Sequence, residues 1–380
     1  MKTVQLSWNK KTGWNNTEAA KDFTSENQLV LVFGGVDEVV KPERFEELKA
    51  LFPKANIVMS STAGEIIEDR LQDESLIATA LNYNKTKLKV IELNVPDFSS
   101  CVECGTKIQD ELLADDLSHI LVISDGGMVN GDDLVSGINT GLPKNVIVTG
   151  GLAADAGRFE KTYVGLNGVP QSGKVVAIGH YGSDLKVAHG SMGGWDEFGP
   201  IRTITKSQGN VLYELDGQPA LSVYKKYLGD KASELPGAAL LFPLSLYSED
   251  RKTQLVRTIL GIDEEQGSMT FAGDVPQNSE VRFMMANFDR LIDGAAQAAE
   301  ASLSLNSETK PEFVLMISCI GRKIVLDQRV EEELESVKEI FGEDAIYTGF
   351  YSNGEISPFV EGASCSLHNQ TMTITTYTEN

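Results

Sequence analysis

Four carboxylates beside glycine-rich segments are the residues of this sequence with the clearest chemical potential. Glu65 and Glu355 each directly follow a glycine, and Asp125 and Asp155 each lie within a few residues of a Gly-Gly pair. Carboxylates that converge on a substrate can do acid–base chemistry. They can equally accept backbone N–H groups and order their own turns, or bind the amino group of a ligand. We expect turn ordering or amine binding, with a small-molecule enzyme that uses these carboxylates as the alternative.

Catalytic and metal-binding motifs give no further support to an enzyme. The sequence has no G-x-S-x-G, no P-loop, no H-E-x-x-H and no nucleotide fingerprint after a strand. Cys101 and Cys104 form a C-x-x-C, but no second pair of cysteines or histidines completes a tetrahedral zinc site. We therefore predict that the protein is not an enzyme and that these cysteines lie in a loop after a strand.

An internal repeat dominates the organisation of the chain. A buried strand, an amphipathic helix, a second buried strand and a glycine-rich turn occur in this order three times. The first and last copies share a Gly-Glu-Ile turn, whereas the middle copy is weaker. The repeat predicts a mixed α/β fold with two interlocked halves built from related strand–helix–strand units, with added antiparallel hairpins. The predicted elements are 29–33, 42–52 and 57–59, then 119–124, 132–142 and 146–149, then 313–319, 330–341 and 345–350.

The glycine-rich turns predict a ligand crevice. A strand–helix–strand unit joins parallel neighbours by a right-handed crossover, and ligands of such sheets lie outside the carboxyl ends of the strands. Glycine there allows a positive φ and close approach of the backbone, although tight turns alone would also explain it. The side chains predicted to line the crevice are those of Ser61, Thr62, Glu65, Asp155, Arg322, Tyr351, Asn353 and Glu355.

Composition limits the classes of partner. Basic residues number 33 against 55 acidic ones, for a formal charge of −22, and such a surface repels nucleic-acid phosphates and anionic membranes. The first residues carry no secretory signal pattern, and no apolar run approaches the roughly 20 residues of a membrane helix. We expect a cytoplasmic protein that binds neither nucleic acid nor membrane.

Several longer motifs resemble the FIST sensory family. S-T-A-G-E-I (61–66) and G-G-L-A-A-D (150–155) resemble its N-terminal domain, and G-N-V-L-Y-E-L-D-G-Q-P-A-L resembles the segment that joins its two domains. S-C-I-G-R (318–322), G-F-Y-S-N-G-E-I-S-P (349–358) and L-H-N-Q-T-M-T (367–373) resemble its C-terminal domain. The resemblance implies a FIST N-terminal domain at 24–204 and a FIST C-terminal domain at 205–380.

The resemblance implies a sensor of small ligands in signal transduction. Members are often fused to output domains, and this chain carries none, so we expect it to act on a separate partner such as a histidine kinase. A stand-alone subset of the family binds haem and senses nitric oxide, and this sequence is similar to it in length and in lacking an output domain. The alternative ligand is a small polar metabolite, such as an amino acid, bound through Glu65 or Glu355.

A haem, if this subset is the right one, needs a histidine ligand, an apolar pocket and cations for its propionates. His189 is the first candidate, because it ends an alternating apolar strand and enters a glycine-rich turn that contains Trp195. His368 and His180 follow it. For each of them, an ordinary core histidine is the alternative interpretation. The arginines that we consider as propionate partners are Arg202, Arg257 and Arg322.

Overall fold

The computed structural model describes residues 1–21, 23, 28–247, 254–306 and 309–380. The predicted start of the first domain at residue 24 lies outside this set. Within the described part of the chain, no helix is long and apolar enough to cross a membrane.

The first unit is a sheet of parallel and antiparallel strands covered by one longer helix. Gln28–Gly34 is buried at every position, as expected for a strand covered on both faces. The helix that follows begins with Pro42, which is well suited to a first helical turn because its missing N–H has no helical partner. The elements are β1 (Lys2–Asn9), β2 (Gly13–Trp14), α1 (Thr17–Ala20), β3 (Gln28–Gly34), α2 (Val36–Val39), α3 (Pro42–Leu51), β4 (Asn56–Ser61), β5 (Glu65–Ile67), β6 (Arg70–Gln72) and β7 (Leu76–Asn82).

The second unit repeats this pattern with two packed helices. Its elements are β8 (Lys87–Asn94), a 3₁₀ turn (Val95–Asp97), α4 (Cys101–Leu112), β9 (Leu117–Ser124), α5 (Gly131–Asn139), β10 (Ile147–Leu152), β11 (Val164–Leu166) and β12 (Lys174–Tyr181). The prediction that Cys101 and Cys104 lie in a loop is wrong. Ser100 caps α4 by accepting the Glu103 N–H at 3.2 Å, so both cysteines lie in the first turn of this helix.

A curled antiparallel sheet with one helix separates the second unit from the third. The elements of this segment are β13 (Leu185–Met192), β14 (Asp196–Gln208), β15 (Val211–Leu215), β16 (Gln218–Pro219), α6 (Ala220–Leu228), 3₁₀ turns at Gly229–Glu234 and Gly237–Leu241, β17 (Leu244–Tyr247), β18 (Gln254–Arg257), β19 (Ile259–Asp263), β20 (Ser268–Phe271) and β21 (Glu280–Met285). β13 belongs to the sheet of the third unit, and the other strands form the curled sheet. Residues 204 and 205, the predicted domain boundary, both lie within β14.

The third unit completes the repeat near the end of the chain. Its elements are α7 (Phe288–Leu305), β22 (Phe313–Cys319), α8 (Ile320–Leu326), a 3₁₀ turn (Asp327–Arg329), α9 (Val330–Phe341), β23 (Ile346–Ser352), β24 (Gly354–Pro358), β25 (Cys365–His368) and β26 (Met372–Glu379). Arg322, which we placed among the residues of the glycine-rich turns, lies instead inside α8 together with Gly321.

The three units exchange strands in a closed cycle. β5 of the first unit pairs with β23 of the third, β24 of the third pairs with β10 of the second, and β11 of the second pairs with β4 of the first. In every unit the first two central strands are parallel, and a later strand pairs antiparallel with the first of them. This topology confirms the predicted mixed α/β fold of interlocked, related units, and it places Glu65 and Glu355 on equivalent strands.

The apolar core has a central part and outer parts. The central part collects Leu31, Phe33, Ile123, Leu315 and Phe350 from the sheets of the three repeated units, so each of these sheets buries one face against the other two. The opposite faces pack on α3, on α4 and α5, and on α7 and α9 respectively. Burial on both faces explains why the central strands are nearly continuous apolar runs, and it leaves the carboxyl ends of the strands as the places where cavities open.

Candidate ligand pocket at the strand ends

Glu65 fastens the turn after β4 to the start of β7. One carboxylate oxygen accepts the Thr62 hydroxyl at 2.5 Å, and the other accepts the Ser75 hydroxyl at 2.7 Å and its backbone N–H at 3.1 Å. The preceding Gly64 has φ +137°, a backbone conformation that residues with a side chain rarely adopt, so this position favours glycine. We call this arrangement a carboxylate clasp.

The same clasp occurs in the third unit, and the second unit has a related one whose carboxylate follows the first central strand instead of the second. Glu355 accepts the Ser352 hydroxyl at 2.6 Å and, on its second oxygen, the Thr371 hydroxyl at 2.9 Å, directly before β26. In the second unit the carboxylate comes from Asp125, at the end of β9, which accepts the Ser172 hydroxyl at 3.0 Å before β12. All three carboxylates order their own turns, as one of our sequence interpretations expects.

Burial changes the acidity of both glutamates. Both side chains are fully buried. Loss of solvation raises the pKa of Glu65 to about 7 and that of Glu355 to about 8, although the hydroxyl donors of each clasp act in the opposite direction. The two carboxylates share no hydrogen-bond partner among the described residues, and none of the cavities described below is lined by both of them.

A cavity of about 500 Å³ opens at the carboxyl ends of β3 and β4. Its floor is the first clasp, with Thr62, Gly64 and Glu65. Ala156 and Arg158 of the second unit form one wall, and Lys323 of the third unit forms another. We call it the polar pocket, because eight of its lining side chains are ionisable: Lys10, Asp37, Glu38, Glu65, Asp73, Glu74, Arg158 and Lys323.

The cations of the polar pocket differ in how firmly they are held. Lys323 donates to the Ala63 carbonyl oxygen at 2.7 Å and pairs with Asp73. Arg158 pairs with Asp37 at 2.9 Å, but these side chains are 45% and 73% exposed, so water competes for the pair. Of these two cations, Arg158 is therefore the one that can change partner at lower cost when an anionic group enters.

Arg322 and Tyr351 belong to a buried ion-pair network and line none of the pockets described here. The Arg322 guanidinium donates to Glu333 at 2.7 Å and to the Leu291 carbonyl oxygen at 2.7 Å, and both charged side chains are fully buried. The Tyr351 hydroxyl donates to Glu333 at 2.6 Å. The network joins α7, α8, α9 and β23, and its donors have their partners without any ligand.

The other predicted site residues are divided among separate places. Asp155 accepts the backbone N–H groups of Phe159, Glu160 and Lys161 at 2.6–3.0 Å, which folds the loop that carries Arg158. Ser61 accepts the Tyr163 N–H at 2.9 Å. Asn353 lines a different cavity from Thr62 and Glu65. The eight predicted side chains therefore do not line one shared crevice, because the strand exchange places the equivalent turns on three different sheets.

All four histidines of the chain are buried on inner faces of the sheets. His119 lies 3.2 Å from His180, nitrogen to nitrogen, and His180 lies 3.2 Å from the Tyr83 hydroxyl. His368 contacts the Ser357 carbonyl oxygen at 2.9 Å, and Nδ1 of His189 has no partner among the described residues. Burial lowers the pKa of His180, His189 and His368 to about 4, so these rings are neutral near pH 7.

The described residues do not fit a haem. His368 and Trp195 line a cavity of only about 180 Å³, which is below the roughly 300–1,000 Å³ of ligand pockets, and His189 does not line it. The three arginines considered for the propionates are paired elsewhere: Arg202 with Asp216, Arg257 with Asp132 and Arg322 with Glu333. Haem ligation by His189 or His368 stays a prediction that this geometry does not favour.

Sequence reasoning missed several important side chains, and some had a usable signal. Glu333 lies three residues after Val330 and four before Val337, which puts a carboxylate on the apolar face of α9. A charge there needs a buried partner. Arg158, Lys323 and Asp73 had no comparable signal, because only the strand exchange brings their loops together.

Two family models match most of the chain. The model of the FIST N domain matches residues 28–218, and the model of the FIST C domain matches residues 220–358. The chain therefore belongs to the FIST family, whose domains are associated with the sensing of small ligands in signal transduction. No curated protein matches this sequence.

Proposed function

We propose that the protein is a sensor that binds a small polar molecule in the polar pocket and passes the signal to a separate protein. The observation that carries this proposal is that residues from all three units line one cavity of about 500 Å³. A ligand there contacts the clasp of the first unit, the Arg158 loop of the second and Lys323 of the third. Binding that prefers one arrangement of these units shifts the population of the whole molecule.

The charges of the polar pocket favour a zwitterion such as an amino acid. Five of its ionisable side chains are acidic and three are basic. A ligand carboxylate can replace Asp37 on Arg158, because a guanidinium matches the geometry of a carboxylate. A ligand ammonium group finds Asp73 and Glu74 in the same cavity. A purely anionic ligand would be repelled, because acidic side chains outnumber basic ones in this pocket.

A metabolite screen tests the sensor against the enzyme alternative. The protein is mixed with amino acids and other small polar metabolites, hits are found by a rise in melting temperature, and each compound is then quantified by mass spectrometry. We expect stoichiometric binding of a compound that is recovered unchanged. Steady consumption of the bound compound would instead support an enzyme in which Glu65, with its pKa about 7, is the acid–base group.

The partner and the haem alternative each need their own measurement. We propose a histidine kinase as the partner, supported by the association of the family with signal transduction. The expected result is a change in kinase autophosphorylation when the ligand-bound protein replaces the ligand-free protein.

The haem alternative is tested by absorption spectroscopy after the protein has been mixed with haem. A Soret band that survives desalting and is lost in His189→Ala or His368→Ala would support a gas sensor. If the wild type retains no haem, the gas-sensor hypothesis is excluded.

A further inference from the structure

A second cavity, of about 370 Å³, opens at the carboxyl ends of β9 and β10. Leu152, Phe159 and Asn353 line it from the strand-exchange region, and Leu260 and Phe271 line it from the curled sheet. By the repeat it occupies the place in the second unit that the polar pocket occupies in the first. We call it the neutral pocket, because none of the described side chains that line it is ionisable.

The neutral pocket differs in chemistry from the rest of this acidic protein. Eight ionisable side chains line the polar pocket, whereas amides, glycine backbone and apolar side chains line this one. Phe159 and Leu260 are 57% and 49% exposed, although large apolar side chains are usually covered. A ligand with an apolar body would remove both from water, which is a favourable contribution to binding.

One amide of the neutral pocket has an unused hydrogen-bonding atom. The Asn353 Oδ1 atom is buried and has no partner among the described residues. The other two asparagines are engaged: Asn130 accepts the Asp133 N–H at 3.2 Å, and Asn210 donates to the Phe271 carbonyl oxygen at 2.8 Å. A buried acceptor without a donor is costly. A half-turn of the amide about its Cβ–Cγ bond exchanges the positions of its oxygen and nitrogen, and it would bring the oxygen to the accessible side, where a ligand N–H or O–H group would satisfy it.

We propose that the neutral pocket is a second binding site, and that it takes an uncharged aromatic molecule with one hydrogen-bond donor. The ring lies between Phe159 and Leu260, and the donor reaches Asn353. A charged molecule would lose its solvation without gaining an ionic partner there. The site is independent of the ligand proposed for the polar pocket, and each can fail without the other.

Indole and 1-methylindole are matched probes, because they differ mainly in the N–H donor. We expect calorimetric titration of the full chain to show tighter binding of indole, by roughly three- to tenfold, which is the range of one net hydrogen bond. In Asn353→Ala this preference should disappear while 1-methylindole binds as before. Failure of both probes to bind at millimolar concentration, or an unchanged preference in Asn353→Ala, would overturn the proposal.

A second pair of variants tests the location without touching Asn353. Leu260→Glu places a charge at the mouth of the neutral pocket and should weaken both probes by at least about tenfold. Val360→Glu is the control, since Val360 is 51% exposed and lines none of the cavities described. Both variants should keep the melting temperature of the wild type. Equal affinity in Leu260→Glu and Val360→Glu would place the probes elsewhere and contradict the proposal.

Discussion

At the scale of residues, burial makes the ionised form of the clasp glutamates unfavourable. The pKa of Glu65 rises from 4.5 to about 7 and that of Glu355 to about 8, because burial penalises the charged form. A folded-state pKa above the unfolded value means that the folded protein binds the proton more tightly. The contribution of each group to stability is therefore complete below about pH 4.5 and is lost as the pH rises through 7 to 8.

Replacing the clasp glutamates by glutamine should flatten this pH dependence. Glutamine keeps an acceptor for the Ser75 and Thr371 N–H groups but cannot ionise. Between pH 5 and pH 8 we expect the wild type to lose more free energy of unfolding than Glu65→Gln, by on the order of 3 kcal/mol. Urea denaturation at a series of pH values measures it, with Glu332→Gln as the exposed control. Parallel profiles for wild type and Glu65→Gln would contradict the raised pKa.

Buried histidines lower the stability of the folded protein on the acid side of the same pH profile. The folded pKa of His180, His189 and His368 lies near 4, below the ordinary value of 6.5. The unfolded chain therefore binds more protons, and stability falls as the pH drops from about 6.5 towards 4. Together with the clasps, these rings should give a stability maximum between the two limbs.

The buried ion pair of Arg322 and Glu333 gives a second prediction at this scale. Arg322→Met leaves the Glu333 carboxylate buried without its cation, which typically costs about 3–5 kcal/mol. Arg329→Met is the matched control, because Arg329 pairs with Glu332 on the surface, where the cost is within about 1 kcal/mol. Chemical denaturation compares the two variants. A loss for Arg322→Met as small as that of the control would show that Glu333 finds another partner or a proton.

At the scale of elements, one short loop serves both pockets. Asp155 accepts three successive backbone N–H groups of the loop, in which Arg158 lines the polar pocket and Phe159 lines the neutral pocket. The Asp155 side chain therefore holds the loop in this shape. It positions Arg158 and Phe159 and does not itself line either cavity.

Asp155→Asn should therefore loosen the loop without unfolding the protein. An amide offers one acceptor oxygen, so at least one of the N–H groups of Phe159, Glu160 and Lys161 is left without its bond. We expect faster hydrogen exchange in the segment 157–163 and unchanged exchange in β9 and β10. Asp184→Asn, at an exposed turn, is the control. If hydrogen exchange in this segment is equal in Asp155→Asn and wild type, contacts other than those of Asp155 hold the loop in place.

Local sequence patterns predicted the repeated elements well. The apolar runs of β3, β9 and β22 and the repeated Gly-Glu-Ile turn led to the correct units, because burial on both faces leaves a pattern that is readable within a few residues. α8 was missed, since Gly321 inside it resembles a turn signal. The clasp partners Ser75 and Thr371 were also missed, because each lies at the start of a later strand.

At the scale of the whole molecule, the exchange of strands decides where the pockets are. β5, β11 and β24 each leave their own unit, so equivalent turns end on different sheets and line different cavities. Such pairing joins residues far apart in sequence, such as Glu65 with Phe350, and no local pattern reports it. This is why the eight predicted side chains were placed in one crevice, whereas the structure divides them.

The central claim is that the polar pocket binds the sensed ligand, and one titration series tests it most directly. The compound selected by the metabolite screen is titrated calorimetrically into wild type, Arg158→Ala and Arg70→Ala. Arg70 is the matched control, since it also forms an exposed ion pair, with Glu331, but does not line the pocket. We expect Arg158→Ala to lose at least about tenfold in affinity, the scale of a hydrogen bond to a charged group, and Arg70→Ala to bind like wild type. Equal affinities for all three proteins would contradict a ligand site in the polar pocket.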